Sequence, residues 1–117
     1  IGHGAIIHGG IIGENTLIGM NSVIMDDVEI GKECIVGALS FVKANTIFES
    51  RSLIVGNPAK KIKEVPDEMI KWKTDGTKLY QQLPKDCFES LKECEPLSEV
   101  EPNRPTQKQI YFTWQKK

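Results

Sequence analysis

The chain has 117 residues, enough for one domain with a tail, and carries 15 basic against 16 acidic residues for a net charge of −1. That balance excludes the broad basic footprint of a general nucleic-acid binder. No apolar run reaches the length of a membrane span and no signal-peptide pattern starts the chain, while three cysteines, an odd count, argue against a disulfide framework and for a reducing cytoplasm.

The chain opens IGHGAIIHGG, with His3 and His8 set among glycines and isoleucines. From there aliphatic residues recur every six positions, at Ile12, Ile18, Ile24, Ile30, Val36 and Val42, and Gly13, Gly19, Gly31 and Gly37 directly follow four of them. Four positions after each aliphatic stands a small or modest side chain: Thr16, Ser22, Val28, Cys34, Ser40 and Thr46. A helix would repeat near 3.6 residues and a half-buried strand every two. A period of six instead predicts short strands joined by tight corners, with one large aliphatic per strand pointing inward. Gly or Asn at the corners would supply backbone angles that branched residues tolerate poorly. Three repeats close one triangular coil, and stacked coils form a parallel solenoid in which each coil buries its apolar edge only against its neighbours.

The beat breaks once. Ile1 to Ile7 is a full repeat of six, but Ile7 to Ile12 is one short, and the short repeat contains His8. Either the corner is bent for a purpose or the repeat has simply decayed there. The coils occupy residues 1–50, fewer than three full turns and about 14 Å of stack at the usual strand spacing. They begin in mid-repeat without an N-terminal cap, so the expectation is the C-terminal part of a longer protein whose first coils are missing.

Residues 51–65 read as a terminating turn and linker, with Gly56, Asn57 and Pro58 making the turn and Pro58 stopping regular ladder pairing. The small basic cluster KKIK (60–63) could meet the phosphates of a cofactor, but a solvated face is the better expectation. Residues 66–95 form a helical segment: a short helix with Pro66, Asp67 and Glu68 in its first turn and Gly76 at its end, then a second stretch kinked or split at Pro84. Tyr80, Leu83, Cys87, Leu91 and Cys94 fall at helical spacing and predict one apolar face, with both cysteines as buried small residues. Residues 96–117 form an extended tail, in which Ile110, Phe112 and Trp114 alternate as in a short strand or docking arm; disorder is the competing reading.

The hexapeptide beat, with H-x4-H followed by IGM and by the WK…GT…YQ stretch at 72–81, resembles the γ-class carbonic anhydrase branch of the hexapeptide-repeat proteins, and most narrowly its phenylacetate-degradation and carnitine-operon members. VGNPAK is shared more widely with hexapeptide acyltransferases. The resemblance implies a left-handed parallel β-helix followed by a C-terminal α-helix, a handedness opposite to the general preference for right-handed crossovers. It further implies a homotrimer with a divalent metal, zinc or else iron or cobalt, held by three histidines between subunits. His3 and His8 match the two ligands of H-x4-H, Met20 and Asn21 line the pocket, and the third histidine has no counterpart in this sequence. The carboxylates that assist proton transfer in the best-studied anhydrases have no match either.

Neutral imidazole suits zinc, and three protein ligands with an open position define a catalytic site where water would be acidified toward a pKa of about 7. Two histidines five apart at neighbouring corners do not easily bind one metal within a coil; donating them to two different subunit interfaces resolves this. The narrower resemblance implies hydrolysis of a CoA thioester in aromatic or carnitine catabolism. The alternatives are CO2 hydration by the same metal chemistry, a metal-free hexapeptide acyltransferase using a histidine as general base, and a non-catalytic trimeric assembly protein.

Overall fold

The computed structural model describes residues 1–104 and 112–114, and Ile110 of the alternating tail lies outside them. The chain forms two compact units, residues 1–74 and 75–117. In the first, ten strands follow one another: β1 (Ile6–Ile7), β2 (Gly10–Ile12), β3 (Leu17–Ile18), β4 (Val23–Ile24), β5 (Val28–Ile30), β6 (Ile35–Val36), β7 (Phe41–Val42), β8 (Ile47–Phe48), β9 (Ser52–Gly56) and β10 (Ala59–Glu64). They make three sheets, β1-β4-β7, β2-β5-β8 and β3-β6-β9-β10, parallel throughout except for the last pair. Leu17 sits over Ile35 and Ile35 over Leu53, three repeats of six at each step, so the coil inferred from the beat is the coil observed.

The six-residue beat builds the interior. Ile18, Ile24, Ile30, Val36, Val42 and Ile54 are buried, together with Val28 and Cys34 at the small positions. Polar members of the small set are satisfied by the neighbouring coil in one recurring pattern, fifteen positions ahead. Thr16 Oγ1 donates to the Gly31 carbonyl, Ser22 Oγ to that of Gly37 and Cys34 Sγ to that of Glu49, at 2.9, 2.9 and 3.2 Å. Among the buried members Ser40 is the exception: its hydroxyl has no partner among the described residues. The carbonyl fifteen positions on would be that of Val55, which lies within the long strand β9 paired to β10.

The corners differ from expectation in an instructive way. Asn15, Asn21, Asp27, Glu33, Leu39, Asn45 and Arg51 all take positive φ, between 53 and 61°, one in every repeat. The glycines that follow the inward aliphatics do not. Their role is close approach: a Cβ on Gly13 would lie 2.5 Å from the backbone of Gly31 and Lys32 in the next coil. Left-handed corners come easily to Asn and Asp and cost more at Glu33, Leu39 and Arg51. The corner conformation also turns an amide toward the preceding coil, so that Glu33, Leu39, Asn45 and Arg51 donate to the carbonyls of Glu14, Met20, Asp26 and Lys32 at 2.8–3.0 Å.

Residues 51–65 are not a linker. β9 extends the third sheet, and after the Gly56–Asn57–Pro58 turn β10 folds back antiparallel, with an irregularity between Lys61 and Lys63. Pro58 sits in the turn itself, so no ladder bond is lost. Lys60, Lys61 and Lys63 are exposed on this edge strand and Lys61 lies 3.4 Å from Glu49, the solvated face expected of KKIK.

A single helix, α1 (Asp67–Ser90), replaces the two expected stretches and passes through both Gly76 and Pro84. Its first turn is tied down by Arg51, whose guanidinium pairs with Asp67 and donates to the Val65 carbonyl, while the Val65 amide donates to the Arg51 carbonyl. Lys73 is buried, its ammonium donating to the Asn15 carbonyl at 2.7 Å and to the Asn15 side chain, so the start of α1 is held against a solenoid corner. In the second unit Tyr80, Leu83 and Leu91 are exposed, as are Cys87 and Cys94, which corrects their assignment to a buried face. Among the described residues no helix is long and apolar enough to cross a membrane.

Ile24→Ala, at a fully buried position, is expected to cost about 2–5 kcal/mol. Ile47→Ala, on the exposed outer side of β8, should stay within about 0.5 kcal/mol; urea midpoints of the two variants check the contrast. Burial lowers the Lys73 pKa from its ordinary 10.5, with Glu33 opposing. The folded value then lies below the unfolded one, so stability should rise as pH climbs between them. Lys73→Met is expected to flatten that rise in melting temperatures recorded from about pH 8 to 11.

Candidate functional site

His3 and His8 occupy the corners at the two ends of β1. His3 is exposed in the turn before the strand, and its carbonyl accepts the Asn21 amide at 2.9 Å. Asn21 is the left-handed corner residue of the coil that stacks on it, and Met20, beside it, is about half exposed. The structure thus brings His3, Met20 and Asn21 to one corner. His8 stands apart from them at the other end of the strand.

The broken beat maps onto the His8 corner. Ile6 pairs with Val23 but Gly10 with Val28, so the offset between β1 and β4 is one residue shorter than that between β2 and β5. Between β1 and β2 only His8 and Gly9 turn the corner, where the next coil uses Met25, Asp26 and Asp27. The missing residue is the left-handed one: positive φ occurs at Gly4 and then not until Asn15. Asp27, whose coil faces the shortened corner, accordingly makes no amide bond to the preceding coil, among the described residues, of the kind seen at Glu33, Leu39, Asn45 and Arg51.

What the shortened corner gains is a side-chain contact. His8 Nδ1 lies 2.8 Å from Asp26 Oδ1, with both side chains more than half exposed, while the His8 amide keeps its ladder bond to the Ile24 carbonyl. An ionised carboxylate only accepts, so the contact is a hydrogen bond when the ring donates from Nδ1, the tautomer in which a neutral imidazole has its lone pair on Nε2. An open depression beside this pair is lined by Gly9, Gly10, Ile11, Asp26, Asp27, Val28 and Glu29. Sequence reading missed Asp26. The signal was available, since Asp26 stands one regular coil length, three repeats of six, beyond His8.

The sheet that carries β1 has an apolar outer row. Ile6, Val23 and Phe41 lie in register on β1, β4 and β7, pointing away from the core, with Ile6 exposed and the other two half-buried. The row runs between the His3 and His8 corners, and the exposed Met20 and Leu39 flank it. Among the described residues no group of three His, Cys, Asp or Glu side chains is placed to hold a metal ion. Cys34 is no candidate nucleophile: it is buried, and burial pushes its thiol pKa up.

Residues 9–44 match the model of the bacterial transferase hexapeptide repeat (six repeats). Over 105 residues, 90% of its length, the chain is 52% identical to the carnitine operon protein CaiE of Salmonella agona, and equally to that of Escherichia coli K12; it covers 53% and 54% of these proteins. A hexapeptide transferase family protein from Anaplasma phagocytophilum superposes with a TM-score of 0.70 at 29% identity, covering 74% of this chain and 52% of that one. The chain therefore spans about half the length of the curated relatives it matches. These matches bear out the left-handed winding of the β-helix expected from the resemblance.

Inserting one Asn between His8 and Gly9 should restore the six-residue beat and supply the Asp27 amide with a carbonyl partner. Hydrogen exchange at Asp27 is expected to slow severalfold in that variant, and NMR exchange rates check it.

Proposed function

We propose that this chain, which belongs with the hexapeptide-repeat proteins and is similar to the carnitine operon proteins, forms part of a homotrimeric, metal-dependent hydrolase of the γ-carbonic-anhydrase-like type, acting in the cytoplasm on a CoA thioester of carnitine or aromatic catabolism. The observation that carries this reading is the His8–Asp26 pair in the shortened corner. A carboxylate on one imidazole nitrogen fixes the ring and leaves the other nitrogen as a ligand, the usual support of a metal-bound histidine.

The donor chemistry fits a divalent cation. Two neutral imidazoles suit zinc, and iron or cobalt less selectively. His3 and His8 would hold the ion, with a third histidine from outside this sequence. Since the two histidines sit at opposite ends of β1, the ligand set calls for more than one copy. The apolar row Ile6–Val23–Phe41 between them is the surface suited to that packing. A bound cation supplies Lewis acidity toward a thioester carbonyl and acidifies water. Asp26 holds the His8 ring, while Met20 and Asn21 border the His3 side and would shape the pocket for the acyl group.

A hexapeptide acyltransferase is the second reading. It is favoured by the same His8–Asp26 pair, which suits a general base acting on an acceptor hydroxyl or amine, and by the transferase naming of the solved relative.

Elemental analysis of a protein extended to the length of the relatives, followed by acyl-CoA hydrolysis and CO2 hydration assays, separates the readings. Zinc, iron or cobalt is expected near one ion per subunit, with thioester hydrolysis reduced at least about 100-fold in His3→Ala and His8→Ala. Metal with CO2 hydration alone would favour an anhydrase. A metal-free protein that transfers acyl groups would overturn the hydrolase, and a metal-free trimer without activity would make it an assembly protein.

A further inference from the structure

We propose that Asp26 is the positioning residue of His8, holding its imidazole in the Nδ1–H tautomer so that Nε2 is the lone pair it presents, and that Gly9 keeps the space in which the carboxylate sits. The metal-binding consequence of this assignment rests on the hydrolase reading; the tautomer does not.

Three features of the corner carry the inference. The carboxylate and the ring are 2.8 Å apart, at the distance of a charge-assisted bond, although neither is enclosed. A Cβ on Gly9 would fall 2.8 Å from Asp26 Oδ1 and 3.6 Å from Asp26 Cα, so a side chain there would push the carboxylate off its place. Finally, the corner lacks one residue relative to the coil beside it. It also lacks the left-handed residue found at every later corner. The departure from regular winding is thus confined to the spot where His8 meets Asp26. An exposed ion pair formed for stability alone would be worth little and would not require a glycine beside it.

Histidine tautomers are distinguished by long-range proton–nitrogen correlation NMR, which the 117-residue chain allows with ¹⁵N-labelled histidine at a pH where the ring is neutral. His8 is expected in the Nδ1–H form in the parent chain. His3 makes no carboxylate bond among the described residues and serves as the internal reference. Asp26→Ala should shift His8 toward Nε2–H. Asp26→Asn, whose amide oxygen can still accept, should largely retain the parent signature, and Gly9→Ala should shift it as Asp26→Ala does. The remaining histidine and amide signals report folding in the same spectra. His8 found as Nε2–H in the parent chain, or unmoved by Asp26→Ala, overturns the proposal.

Zinc competition titrations on the extended protein form the second arm. Loss of Asp26 is expected to weaken zinc binding about 10–100-fold, with partial rescue by Asn. Should the tautomer respond while the parent protein binds no zinc, the positioning role stands and the hydrolase reading falls.

Discussion

The parallel ladder between coils is the constraint on which this molecule depends. Each strand is only two or three residues long over most of the solenoid, too short to hold its place by side-chain pairing alone. Its backbone must find partners at one coil's distance, and that distance is the same for every strand after the first. The inward aliphatic, the small buried hydroxyl or thiol and the left-handed corner each recur every six residues because any other spacing would break the ladder. The glycine behind the aliphatic obeys the same restriction of space, since the neighbouring backbone passes where its side chain would be.

The candidate site is a local exception to that regularity. Dropping one residue at the His8 corner shifts β1 by one position against its neighbour but leaves β2 in phase. The solenoid absorbs the change within a single corner, with the loss of one corner amide bond. A regular corner would project its side chains as all the others do. The shortened one lays an imidazole over the carboxylate of the next coil, and a directed nitrogen results. The candidate site is built from corner residues and meets the core at Val28, which lines the depression beside the His8–Asp26 pair.

Much of this is legible without the fold. The beat locates the buried residues Ile18 to Val42 and the coil length, because hydrophobic period and burial have one cause in a solenoid. The break at His8 is visible as a count. Its partner Asp26 is not, since the contact lies between coils and has to be sought at the coil offset and not along the chain. Gly76 and Pro84 read as helix punctuation, yet α1 runs through both. Local propensity is a weak prior against a helix whose start is anchored by Arg51 and Lys73. Pattern assigns the corners to Gly or Asn for conformational freedom; Asn15, Asn21 and Asn45 take that conformation, but so do Asp27, Glu33, Leu39 and Arg51, while the glycines behind the aliphatics do not. The glycines are required by steric proximity, which no single-chain pattern distinguishes from flexibility.

The stack of left-handed corners has a consequence for how such a chain can change over generations. Every coil offers its neighbour the same sequence of donors, acceptors and apolar knobs, so adding or losing one whole coil leaves all remaining ladders intact. Changes in length are therefore tolerated in whole-coil quanta. A single-residue change is tolerated only where it stays within a corner. Chemistry can be edited at one corner while the rest of the solenoid is copied, as the shortened repeat around His8 illustrates.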